Sequence, residues 1–237
     1  MLGLGVSLSK EDYSGGWLPT DESSLMAWYK LGTVTVASGS SVNNWPDSSG
    51  NGFDMLQESA TSSQPRRDPT TGIVTFDGAD DFLALASGHI TIDDQGAFLI
   101  AFRVHPTDTN IILLGETGSN TEMIKLGLSS SNLLRVKPGG TNADFDLSSG
   151  NIQDDAYWVV SREAGVDDLT TVFKDGSQVD ATIAAPGEFN ISQIGKRTVS
   201  SGSATENEFK GEIYEIMIFN STSADLIANV TDRLASL

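Results

Sequence analysis

Short alternating runs of apolar and polar residues, parted by clusters of Gly, Ser, Asn and Asp, dominate this chain. Ile73–Phe76, Phe82–Ala86, Ala97–Val104, Ile111–Gly115, Met123–Leu128, Leu133–Val136, Tyr157–Ser161, Thr170–Lys174, Gln178–Ala181 and Glu212–Phe219 are the clearest. Each is short, rich in β-branched or aromatic residues and bounded by turn formers, which predicts a strand. Lys174-Asp175-Gly176-Ser177 predicts a tight type I′ hairpin, because Asp-Gly supplies the positive φ angles that turn requires. Helical spacing is confined to two places. Ala224–Leu237 repeats Leu226, Ile227, Val230, Leu234 and Leu237 at the helical period, with Ser223 at the N-cap and Asp225 in the first turn. Glu22–Tyr29 fits a helix and an opening strand equally well. One short terminal helix against many strands predicts an all-β architecture.

Length and composition leave that reading intact and remove several functions. A chain of 237 residues, 38% hydrophobic and 19% charged, buries a sizeable core without a staple. No repeat recurs, and the loop-rich stretches 36–52, 58–71 and 198–206 are too short for interdomain linkers. The division expected is an N-terminal arm over residues 1–21 and one domain over 22–237. Gly3, Gly5, Gly15, Gly16 and Pro19 break regular structure in the arm, which is either disordered or docked onto a neighbouring subunit. A net charge of −18, with no basic stripe, argues against nucleic acid and anionic membranes as partners. With no cysteine, thiolate metal sites and thiol nucleophiles are excluded. Met1 to Lys10 lacks the pattern of a signal peptide, and no apolar run is long enough to span a bilayer. The expected product is soluble and made in the cytoplasm, with no membrane insertion.

Four stretches together resemble the concanavalin A-like lectin/glucanase superfamily, in its laminin-G-like branch. They are Leu25–Tyr29 followed by Trp45-Pro46-Asp47-Ser48-Ser49-Gly50-Asn51-Gly52, then Val74–Leu83 around Phe76-Asp77-Gly78, then Lys174-Asp175-Gly176, then Phe209–Phe219 with a helix after it. The resemblance covers residues 22–237 and implies a two-sheet antiparallel jelly-roll sandwich with a short C-terminal helix and an extended N-terminal arm. In the last stretch, alternation puts Ile213, Glu215, Met217 and Phe219 on one face and Tyr214, Ile216 and Ile218 on the other. Met1-Leu2-Gly3-Leu4-Gly5 also resembles the start of tailed-phage structural proteins, notably those of marine cyanobacteria. That likeness implies a virion protein, a capsid or tail decoration. It would be oligomeric in assembly, held to other virion proteins by its arm or a sheet face, and would contact host glycans.

The superfamily contains glucanases, whose paired carboxylates alternate along one strand in a pattern like Glu-x-Asp-x-x-Glu. Glu206, Glu208, Glu212 and Glu215 do not have that spacing, and regular alternation puts Glu212 and Glu215 on opposite faces. His89 and His105 lie at loop edges with no nucleophile motif beside them. The expectation is therefore a protein without catalytic activity, with glycoside hydrolysis a distant third reading. Calcium takes six to eight hard oxygens, often from loop carboxylates. Asp77, Asp80 and Asp81 form the candidate set, with Glu212 approaching across the sheets; the alternative is that such aspartates only cap their own turns. A calcium-assisted lectin site, not tied to a virion, is the second functional reading. Its glycan residues are Trp45, Asp47 and Asn51, with Trp45 expected to be exposed for stacking, whereas Trp28 and Trp158 belong to the core. Trp17, in the arm, is a candidate anchor for a neighbouring protein.

Overall fold

A computed structural model describes residues 16–38, 40–57, 61–118, 122–128, 131–148, 150–165, 167–199 and 208–237. The chain forms the expected two-layer β-sandwich, with a single α-helix among the described residues, Ala224–Ala235. One layer runs in the order Leu25–Tyr29, Lys210–Phe219, Phe98–Pro106, Ala156–Arg162 and Leu169–Lys174. The other runs Thr35–Ser38, Ser41–Trp45, Met55–Leu56, Leu83–Leu85, Gln193–Ile194, Ile111–Gly115, Met123–Leu128, Ser131–Lys137 and Ala143–Asp146. The layers are not separate sheets. Val74–Asp77 pairs with residues 210–213 on one side and with Arg66–Arg67 on the other, and Arg66 pairs with Ser41, so hydrogen bonding turns one corner without a break. One ribbon departs from the antiparallel expectation: Thr117–Gly118 pairs in parallel with Thr198–Val199.

The alternation seen in the sequence drives this packing. Phe98, Ile100, Phe102 and Val104 point between the layers beside their strand neighbours Trp158 and Val160, with Phe145 and Ile194 of the other layer in the same core. The opposite face of the same strands, Leu99, Ala101, Val159, Met217 and Phe219, is also apolar and would be wet in a bare sandwich. The helix covers it with Leu226, Val230 and Leu234. Ser223 caps the helix as expected, its Oγ accepting from Leu226 N at 3.1 Å. Of Glu22–Tyr29, the part Leu25–Tyr29 is a strand, because Trp28 and Ala27 each have a face to bury. The hairpin forms as expected, with φ of 49° at Asp175 and 77° at Gly176.

Two local features correct the sequence reading. A β-bulge at Tyr214, opposite the step from Val104 to Arg103, shifts the alternation of Lys210–Phe219 by one. Ile213 therefore joins Ile216 and Ile218 in the interlayer core, while Met217 and Phe219 face the helix and Glu215 meets Trp28 and Arg233 on that same side. The loop-rich stretch 36–52 contains the strands Thr35–Ser38 and Ser41–Trp45, hidden from a periodicity search by register shifts near Val36. Of the expected arm, residues 1–15 lie outside the described residues. Trp17 packs on the helix-covered cluster and donates from Nε1 to Glu22 at 2.9 Å, and Pro19 is buried in a short 3-10 turn. Within the described residues Trp17 serves the domain itself.

Candidate functional site

Trp45 is not exposed. It is 0% accessible, its ring packs edge-on against Tyr29 at 6.1 Å, and its Nε1 donates to the Lys30 carbonyl at 3.0 Å. The irregular register of its strand turns both Val42 and Trp45 into the core, so the indole has no face to offer a sugar. Asp47 and Asn51 are engaged within the protein. One Asp47 oxygen accepts from Trp28 N and Ser49 N, each at 2.9 Å; the other accepts from Ser49 Oγ at 2.7 Å and Phe53 N at 3.1 Å. Asn51 Nδ2 donates to the carbonyls of Leu25 and Met26 at 2.9 Å. These bonds cap the outer edge of the strand Leu25–Tyr29, which would otherwise carry unpaired backbone groups. Gly50 and Gly52, at φ of 88° and 82°, let the loop turn tightly enough to reach it.

The structure does bring Asp77, Asp80 and Asp81 together: one oxygen from each lies within 4.8 Å of the others, close enough for one hard cation. It equally shows the turn-capping role. Asp77 Oδ1 accepts from Ala79 N at 2.8 Å, Asp81 Oδ2 accepts from Asp77 N at 2.9 Å, and Asp80 Oδ2 accepts from Ser63 Oγ at 2.8 Å. Glu212 is not part of this group. It lies opposite Thr75 and His105, and its Oε2 sits 3.6 Å from His105 Nδ1 and 3.4 Å from Tyr214 Oη. Lys210, not Glu212, is the register partner of Asp77, which is why the approach across the sheets fails.

Asp81 is 4% exposed, and burial pushes its carboxyl up to about 6; the Asp77 amide bond opposes this, and the charges of Asp77 and Asp80 add to it. Between about pH 4 and 6 the folded chain binds more protons at this site than the unfolded one, so this group makes the protein more stable as the pH falls through 6. Asp81→Asn keeps an acceptor for Asp77 N and removes the charge. It is expected to stabilise the protein at pH 7.5 by about 1–3 kcal/mol and to flatten the pH dependence between 7 and 5. Thermal melts across that range check this; a loss of stability at pH 7.5 would show that the buried charge is needed.

Another candidate among the described residues is a groove of about 490 Å³ on the helix-covered face of the first layer. Neighbouring strands supply its floor, Ala97, Ser161, Thr171 and Phe173, all pointing outward; Ser161 and Thr171 are register partners. Thr222, Ser223 and Ile227, at the start of the helix, form one wall, and Glu163 and Gln178 stand at the rim. Phe173 is half-buried, and Thr222 Oγ1 is buried with no hydrogen-bond partner. Sequence reasoning missed this site. Its only signal was polar outward positions, Ser161 and Thr171, in strands otherwise covered by apolar contacts.

Below the groove floor, Arg162 sits inside the sandwich. Its guanidinium, fully buried, donates to the carbonyls of Gly96 at 2.9 Å, Asp93 at 2.9 Å, Ala185 at 3.2 Å and Gly187 at 2.7 Å. Four bonds from one rigid fork pin two loops to the strand that carries Ser161, so the floor is held in place.

No protein-family model matches the chain, and no curated protein matches it in sequence. Solved structures do match in shape. Domain 4 of AbnA, a GH43 extracellular arabinanase from Geobacillus stearothermophilus, solved in complex with arabinotriose, superposes with a TM-score of 0.55 at 13% identity, covering 87% of this chain and 98% of that one. The binding domain of Paraclostridial Mosquitocidal Protein 1 gives 0.60 at 13% identity, over 92% of this chain and 53% of that one. Trypanosoma rangeli sialidase in complex with sialic acid gives 0.55 at 13% identity, over 89% of this chain and 33% of that one. This chain thus spans about half of the mosquitocidal protein's binding domain and a third of the sialidase. Likeness at this identity establishes a shared β-sandwich fold.

Proposed function

We propose that this protein is a non-catalytic carbohydrate-binding module whose site is the groove beside the helix. The observation that carries the reading is the composition of that groove: a half-buried aromatic ring, Phe173, ringed by hydroxyls, an amide and one carboxylate. A sugar presents an apolar C–H face and a rim of hydroxyls that both donate and accept. Phe173 suits the first, and Ser161, Thr171, Thr222, Gln178 and Glu163 suit the second. Two of the structures that share the fold were solved with a sugar bound, which supports the reading. With a net charge of −18, the ligand favoured is an uncharged oligosaccharide.

Absence of catalysis is part of the proposal. Hydrolysis by paired carboxylates needs two, about 5–9.5 Å apart, across the scissile bond. Among the described residues that line the groove, Glu163 is the single carboxylate. Glu215, although the bulge places it on the same face of its strand as Glu212, is held by Trp28 and Arg233 and is fully buried.

Isothermal titration against a panel of neutral and acidic oligosaccharides, in calcium and in EDTA, tests the reading. Phe173→Ala is expected to weaken binding of a neutral ligand roughly tenfold, about 1.4 kcal/mol, with Gln178→Ala weakening it less. Binding that survives both substitutions would place the site elsewhere, and reducing-end release from the same panel would overturn the non-catalytic part. A finer assignment, that the module is a virion surface protein meeting host glycans alongside other virion proteins, rests on Met1 to Gly5 and on the lectin-like fold. Mass spectrometry of purified particles decides it, and absence from particles would end it.

A further inference from the structure

The loop that caps the first strand contains the chain's one Asn-Gly step, Asn51-Gly52. Both residues are exposed, and a Cβ added to Gly52 would meet nothing within 4 Å, so the peptide link between them stands in open solvent. An asparagine before glycine is chemically vulnerable, because no Cβ hinders the following backbone nitrogen from reaching the side-chain carbonyl carbon. Here the vulnerable side chain also does structural work. Its Nδ2 donates to the carbonyls of Leu25 and Met26 at 2.9 Å. Its backbone N–H donates to Ser49 Oγ at 3.2 Å, and that hydroxyl donates to Asp47 Oδ2 at 2.7 Å.

We propose that Asn51 is a site of spontaneous modification, deamidated by attack of the Gly52 nitrogen, and that the change uncaps the strand Leu25–Tyr29 irreversibly. The Gly52 nitrogen bonds to Asn51 Cγ. The Cγ–Nδ2 bond breaks, and Nδ2 leaves as ammonia, carrying the proton that the Gly52 nitrogen gives up. Water, the one co-reactant, then opens the cyclic imide at either carbonyl, so position 51 becomes aspartate or isoaspartate. The bonds from Nδ2 hold the side chain against the strand, so the reaction draws on molecules in which the cap has opened locally. Before the reaction such an opening closes again. Afterwards it does not, because a carboxylate only accepts, and at position 51 it faces two carbonyl oxygens in a loop already carrying Asp47 and Asp54. Isoaspartate also lengthens the backbone by one carbon ahead of Phe53, whose N–H donates to Asp47 and whose carbonyl accepts from the Tyr29 hydroxyl at 2.8 Å.

Ageing the full-length protein in warm, mildly alkaline buffer, with peptide mass spectrometry at intervals, tests the chemistry. The peptide carrying Asn51 is expected to gain one mass unit roughly tenfold faster than the one carrying Asn190, which is followed by the β-branched Ile191. Hydrogen exchange followed by NMR tests the consequence. In the aged fraction, separated by its extra charge, the Trp28 amide that Asp47 holds should exchange roughly tenfold faster than in fresh protein. Amides of Ile216–Ile218 serve as the control that the sandwich remains folded. Asn51→Asp, made directly, should show the same faster exchange at Trp28 without ageing. Equal rates of mass gain at Asn51 and Asn190 overturn the modification. Unchanged Trp28 exchange in both the aged fraction and Asn51→Asp overturns the uncapping.

Discussion

Glu215→Ala is expected to cost about 3–5 kcal/mol, the largest effect of any single substitution considered. Glu215 is fully buried, and both carboxylate oxygens are committed. Trp28 Nε1 donates to Oε1 at 2.8 Å, the Arg233 guanidinium donates to both oxygens through Nε and a terminal nitrogen, and Leu31 N approaches Oε2 at 3.5 Å. Arg233 also stacks over the Trp28 ring, 4.8 Å from its centre. One carboxylate thus joins the first strand, the long central strand and the helix. Removing it leaves the Arg233 charge 7% exposed and unbalanced, so the helix has to shift or unfold to rehydrate it. The pair replaced together, Glu215→Met with Arg233→Met, should regain part of the loss, because two apolar side chains remove both ionic desolvation penalties while Trp28 Nε1 is left without its acceptor. Urea unfolding of the two variants measures the contrast. A single variant within 1 kcal/mol of wild type would show that water reaches Arg233 without disturbing the fold.

The second large effect is expected at Asp47. Asp47→Ala removes four hydrogen bonds to a charged acceptor, uncaps the edge of Leu25–Tyr29 and should cost about 2–4 kcal/mol, with Asp47→Asn costing less because an acceptor remains. The substitution also separates two roles. As an edge cap, Asp47 affects stability and the tendency to aggregate, and leaves oligosaccharide affinity unchanged at temperatures where the variant is folded. As a ligand residue, it would do the reverse. Denaturation midpoints and titration calorimetry on the same preparation give both answers.

Much of the fold was legible because its signals are local. Asp175-Gly176 adopts the two positive φ angles that its residue types favour, and Ser223 caps the helix three residues before the amide it serves. Met123–Leu128 and Ile111–Gly115 have the bounds that alternation predicts. Trp28 and Trp158 are in the core, as large aromatics in apolar strands should be. Two of the misreadings share one cause. An inserted residue reverses every side chain beyond it, and nothing in the composition of Glu212–Phe219 marks Tyr214 as that residue. The same irregularity in Ser41–Trp45 sends Trp45 inward from what the sequence presents as a polar loop.

By itself, then, the sequence determined the class of architecture, the turns, the terminal helix and the closeness of Asp77, Asp80 and Asp81, all of which depend on residues a few positions apart. Only the tertiary structure decided which side chains meet around the groove. The groove exists because residues from strands near 97, 161 and 171 meet the start of a helix near 223, contacts whose sequence separation leaves no periodic trace. It also decided that Asp47 and Asn51 cap an edge, since a carboxylate in a loop has the same sequence signature whether it waits for a ligand or is already bound by the neighbouring strand.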